Sequence, residues 1–163
     1  MKNFFKLFAI AILALTLNFD SVAQNEKIKT AFLYQFSRYI QWPGNNGAFT
    51  YGVYGDGPIY NALVNMAKTR TGINVIKITS LSQAKQCNIL FVTDKVDNIE
   101  QVKQAVGNSP TLIVTEKSGF AKKGSEINFT NVGGKLRFEM NSDNLKRKGL
   151  LVSGELKNLA IMI

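Results

Sequence analysis

The chain has 163 residues, 45% of them hydrophobic and 19% charged, the proportions of one folded domain rather than of a disordered chain. Its 20 Lys and Arg outweigh 11 Asp and Glu, but they lie in scattered short clusters (Lys68/Arg70, Lys122/Lys123, Lys146/Arg147/Lys148). A nucleic-acid reader gathers such residues on one element with stacking aromatics, so no nucleic-acid partner is expected, and solvated faces or an acidic or anionic partner account for the charge.

In chain order, the opening "MKNFFKLFAIAILALTLNFDSVAQ" has basic Lys2 and Lys6, an apolar stretch from Leu7 to Leu17, and the small-x-small ending Ser21-Val22-Ala23. That pattern predicts a signal peptide over residues 1–23, cleaved after Ala23, whose apolar run is short for a bilayer span. With no cysteine at the cleavage point, residues 24–163 read as a single exported domain without a lipid anchor. "NEKIKTAFLYQFSRYIQW" repeats Ile28, Phe32, Leu33, Phe36 and Ile40 at helical spacing and stops at Pro43. "AFTYGVYG" alternates like a strand, and "GDGPIYNALVNMAK" predicts a helix with Pro58 at its start. "INVIKI" and "NILFVT" are β-branched runs read as strands. "NIEQVKQAV" is a short amphipathic helix closed by Gly107, and the strand "TLIVTE" follows it. Beyond the loop "KSGFAKKG", "EINFT" and "KLRFEM" predict a hairpin across "NVGG". Asn141 or Ser142 then caps a helix with Asp143 in its first turn, Lys146, Arg147 and Lys148 in its last, and Gly149 as its stop. "SGELKNLAIMI" predicts a final helix turning Leu156, Leu159 and Ala160 inward. Together these elements predict a three-layer α/β domain with a mixed, mostly parallel sheet.

Catalytic chemistry is hard to assemble from these residues. The chain has no histidine, which excludes Ser-His-Asp and Cys-His machinery and His-ligated zinc or haem, and its single cysteine excludes a cysteine-only metal site. No enzyme activity, metal or cofactor is therefore expected. Cys87, in "QCNILFV", is either a buried inert thiol or a disulfide partner for a second chain. Asp94 and Asp97 fall on a strand-to-helix loop and read as helix caps, while Glu126 and Glu139 flank the hairpin. Gly55-Asp56-Gly57 follows a strand and opens a helix as a dinucleotide fingerprint does, yet Tyr60 holds the third glycine position. A tight turn is the simpler reading, and an anion or ligand site at that helix start stays open.

Taken in order, "AFLYQFSRYIQWP", "YGVYGDGPIYNAL", "QCNILFV", "TLIVTEKSGFAKKGSEINF" and "GKLRFEMNSDNLKRKGLLVSGELKNLA" resemble the YfiR-like family, also called DUF4154. The resemblance covers essentially all of residues 24–163. It implies a periplasmic, Rossmann-like domain that regulates by protein–protein contact. The implied partner is the periplasmic sensor domain of an inner-membrane signalling protein, a diguanylate cyclase that it represses, which would lower cyclic di-GMP and biofilm formation. An outer-membrane lipoprotein that sequesters the repressor and a homodimer are further implied partners. By match to the motifs, Glu139 and Leu145 fall on the family's contact surface, with Ile127 beside them and Phe120, Leu156 and Leu159 as weaker additions. Family members carry more cysteines, which pair; this chain has Cys87 alone. The competing reading is a small-ligand-binding periplasmic sensor or transport accessory domain.

Overall fold

A computed structural model of the protein describes residues 23–44 and 47–163; the expected leader, residues 1–23, lies outside them but for Ala23. Helix α1 spans 23–39 and buries Leu33 and Phe36. The periodicity carries this helix to Trp42, but Ile40 and Gln41 leave it as strand β1 (Ile40–Gln41). The reason is local and tertiary at once. Trp42, directly before Pro43, is pushed away from helical geometry, and the strand β8 (Leu151–Val152) offers Ile40 and Gln41 an antiparallel partner.

Strand β2 (Phe49–Tyr54) leads through Pro58, which caps α2 (Ile59–Ala67), to β3 (Ile73–Ile78). A 3₁₀ segment (Leu81–Gln86) starts on Ser80 and Gln83, whose side chains form a capping box. Strand β4 (Ile89–Val92), helix α3 (Ile99–Val106) and strand β5 (Leu112–Thr115) follow, and then the hairpin β6 (Ile127–Val132) and β7 (Lys135–Met140). Its turn uses Gly133 and Gly134, both at positive φ (59° and 77°), where a side chain would be strained. Helix α4 (Ser142–Arg147) starts on Asn141, whose side chain accepts from Asn144 N at 3.0 Å. Helix α5 (Gly154–Leu159) is capped by Ser153, and the chain then straightens into β9 (Ile161–Met162) rather than continuing as helix.

The main sheet has seven strands in the order β3-β2-β4-β5-β6-β7-β9. β3 through β6 run parallel, β7 is antiparallel to β6, and β9 is parallel to β7. This is the expected three-layer, Rossmann-like α/β fold with a mostly parallel sheet. Alternation along the strands divides the core into two layers. One layer packs Tyr51, Val53, Phe91, Phe129 and Phe138 against Leu33 and Phe36 of α1 and Ile59 and Leu63 of α2. The other packs Ile78, Cys87, Leu90, Val92 and Ile113 against Ala84 of the 3₁₀ segment and Val102 and Val106 of α3.

Cys87 is a free thiol inside this second layer, 4% exposed, and burial pushes its pKa up to about 11. An interchain disulfide through Cys87 therefore requires the layer to open. The sulfur occupies the space left by a glycine on β2: a Cβ at Gly52 would lie 2.3 Å from Cys87 Sγ. Gly52→Ala is expected to destabilise the domain by about 1–3 kcal/mol through overpacking. Adding Cys87→Ala to that variant should recover most of the loss in a denaturant titration. Additive costs for the two changes would show that sulfur and glycine are not coupled.

Candidate functional site

The hairpin end of the sheet differs from the rest. Asn128 pairs with Glu139 and Thr130 with Arg137 across β6 and β7. Phe129, Phe138 and Met140 point toward α1, so Asn128, Thr130, Arg137 and Glu139 share the opposite face. On that face Arg137 and Lys135 are exposed, and Thr130 and Glu139 are half-buried. Parallel strands need cover on both sides, whereas an antiparallel end can leave one face wet, and here it does.

Glu139 is held from below rather than left loose. Its Oε2 accepts from Asn128 Nδ2 at 3.0 Å, and Asn128 Oδ1 accepts from Thr115 Oγ1 at 2.7 Å. Thr115 Oγ1 also lies 3.0 Å from Ser125 Oγ, so a buried polar row runs from β5 to the carboxylate. Beside it, Arg137 Nη2 donates to the carbonyl of Leu159 at 3.3 Å and ties β7 to the end of α5. Leu159 itself is 57% exposed, and Ile161 stands in register with Glu139 on the neighbouring strand. The result is a carboxylate in fixed orientation beside an arginine and an exposed leucine.

A family model described as YfiR/HmsC-like (DUF4154) matches residues 26–161 of the chain. The protein belongs to the YfiR/HmsC-like family. None of the curated proteins matches it. The YfiR/HmsC-like family is one of periplasmic regulators of diguanylate cyclases, regulatory rather than catalytic. Among the described residues no helix is long and apolar enough to cross a membrane.

Of the contact residues that the YfiR/HmsC-like motifs suggest, the fold brings Glu139 and Leu159 to the surface and encloses the other four. Ile127 is fully buried, Phe120 and Leu145 are 1% exposed and Leu156 is 2% exposed. Ile127, Leu145 and Leu156 belong to the α1-side core and Phe120 to the α3-side core, so a partner cannot reach them on the folded surface. Leu159, expected to face inward, faces out because α5 ends there and the chain turns to join β7 as β9.

The Gly55–Gly57 turn sits where the strand order reverses between β2 and β4, the place where open α/β sheets bind ligands. In this YfiR/HmsC-like chain the turn is closed onto β4's end: a Cβ at Gly55 (φ 95°) would lie 2.1 Å from Thr93 Oγ1. Asp56 is turned to solvent and pairs with Lys77 at 3.0 Å. Nor do Asp94 and Asp97 cap α3; Asn98 does, accepting from Glu100 N and Gln101 N, while Asp97 pairs with Lys117.

One arrangement escaped the sequence reading altogether. The helix pattern places Lys148 in a solvated last turn of α4, yet its side chain is only 9% exposed. Its Nζ lies 3.0 Å from Glu126 Oε1 and donates to the carbonyl of Thr111 at 2.8 Å. Glu126, 3% exposed, accepts from Ile113 N through its other oxygen at 2.7 Å. Burial raises the Glu126 carboxyl and lowers the Lys148 amine, and their mutual attraction opposes both shifts. The hairpin carboxylates thus divide: Glu126 faces a buried cation, and Glu139 faces an amide and solvent.

Proposed function

We propose that this chain is a periplasmic protein that binds the periplasmic sensor domain of an inner-membrane diguanylate cyclase and represses it. The observation that supports this reading is the uncovered face of the hairpin, with Glu139 oriented by Asn128 beside Arg137 and Leu159. Family membership supplies the partner class. The basic balance of the chain favours an acidic sensor surface, which would speed encounter and make association salt-sensitive. An outer-membrane lipoprotein that competes for the repressor belongs to the same proposal.

The test uses residues 24–163 as bait on membranes of the native host. Recovery of a membrane protein with a cyclase output domain is the expected result, and Glu139→Lys should weaken that recovery by at least about tenfold, the effect of reversing an oriented interface charge. Deleting the gene should raise cyclic di-GMP. Unchanged cyclic di-GMP in the deletion strain would sink the cyclase reading. Recovery that is indifferent to Glu139→Lys would move the contact to another face.

A further inference from the structure

Between α3 and α4, at the end of the sheet where β5 begins, lies a cleft of about 290 Å³. Its floor is the buried Glu126–Lys148 pair with Ile113; Lys103 and Gln104 form one wall, and Asn144 and Arg147 the other. The walls are held firmly. Asn144 Nδ2 donates to the carbonyl of Gly124 at 3.0 Å, and Arg147 Nη2 donates to Asn144 Oδ1. Opposite, Lys103 pairs with Glu100 at 2.8 Å, and its amine packs over Gly124, where a Cβ would lie 2.8 Å from Nζ.

The inventory of donors and acceptors is lopsided. Both oxygens of Glu126 are engaged, one by Lys148 and one by Ile113 N–H. An ammonium has three N–H groups and a guanidinium five. Among the described residues, Lys148 uses two of its three on Glu126 and Thr111, and the guanidinium of Arg147 is engaged through Nη2 alone. Lys103 faces the same space and pushes against the charge of Lys148 across it. Three cations therefore converge on a wet, walled space whose carboxylates balance only two of them.

A buried ion pair as such would be explained by its grip between α4 and the start of β6. It does not explain why two further cations flank it around an open volume. A buried cation with an unused donor, flanked by two cations at the rim, suits an oxyanion, because charge-assisted hydrogen bonds are the strong ones and gain where water is partly excluded. The volume sits at the lower end of the range for small-molecule sites. We infer that the α3–α4 cleft binds a small oxyanion-bearing molecule, a carboxylate or a phosphate ester, with Arg147 and Lys148 on the oxyanion, Lys103 across from them, and Glu126 as the positioning residue for Lys148. The cleft shares no lining residue with the hairpin face, and the inference does not depend on that face.

The test titrates succinate and, separately, glycerol 3-phosphate into the folded protein at constant chloride ionic strength, and follows backbone amide shifts by NMR. Saturable shifts confined to Gly107, Gly124, Arg147 and Lys148 are expected with at least one probe; succinate alone would assign a carboxylate and glycerol 3-phosphate alone a phosphate. Arg147→Gln and Lys103→Gln lie at the rim, and each should weaken binding by about tenfold, the loss of one charge-assisted contact. Lys68→Gln, a cation outside the cleft, should leave binding unchanged. Overturning results are a linear, unsaturable response with both probes at millimolar concentration, or equal weakening by Lys68→Gln and Arg147→Gln, which would make the effect a general charge response.

Discussion

Glu126→Ala is expected to destabilise the domain by about 3–5 kcal/mol, the cost of leaving a buried charge without its partner. The substitution strands the Lys148 ammonium, 9% exposed, with a single carbonyl contact at Thr111. It also removes the acceptor of the Ile113 N–H at the start of β5. Equilibrium urea unfolding measures the loss. Replacing both partners, Glu126→Leu with Lys148→Met, should recover most of it, because two apolar side chains need no charge compensation. A single-variant cost below about 1 kcal/mol would place this pair among exposed, screened ones.

The pH dependence of Lys148→Met separates the two partners. Burial already raises the Glu126 carboxyl, and removing Lys148 takes away the attraction that opposes that rise. The folded variant then binds a proton more readily than the unfolded chain. Its stability should rise as pH falls through the folded pKa and level off below the unfolded value. Titrating stability from neutral to mildly acid pH gives the sign directly. A variant that loses stability over this range would show Glu126 to be better solvated than its 3% exposure indicates.

The second large effect is expected at Phe36. Its ring is fully buried and sits 5.1 Å from Phe138, 6.0 Å from Phe129 and 6.2 Å from Phe32. Phe36→Ala removes the ring at the centre of this group and should cost about 3–5 kcal/mol. The loss has a place as well as a size. Phe129 and Phe138 are the undersides of the two strands that carry Asn128 and Glu139, so hydrogen exchange should accelerate in β6 and β7 more than in β3. Uniform acceleration over the whole sheet would show that the hairpin has no separate dependence on α1.

The sequence made local decisions visible and long-range ones invisible. Gly133–Gly134, Gly107 and Asn141 announce a turn, a helix stop and a cap because each acts on backbone within a few residues of itself. The parallel strands are legible as β-branched runs for the same reason. Strands β1, β8 and β9 carry no such signal, since two residues have no period and each is fixed by a distant partner. The candidate site splits along the same line. Glu139 stands out through a motif, but its polar support from Thr115 crosses three strands. Lys148 looked like an ordinary helix-end cation because nothing near it in the chain reveals that Glu126 lies beneath.

The pairing of β1 with β8 has a consequence for how the domain assembles. Ile40 finds its strand partner at Val152, and α1 lies on Phe129 and Phe138 as well as on the layer of Tyr51 and Phe91, so the packing of the first helix is completed only when the last quarter of the chain is present. Closing loops of that length carries an entropic cost before any contact rewards it, and folds of this kind form slowly. A chain made or threaded from its amino end would hold part of the apolar face of α1 exposed until the hairpin forms. Chaperone demand should therefore fall on α1, and a chain cut after Gly124, which lacks β6 and β7, should show it as a loosened, protease-sensitive helix.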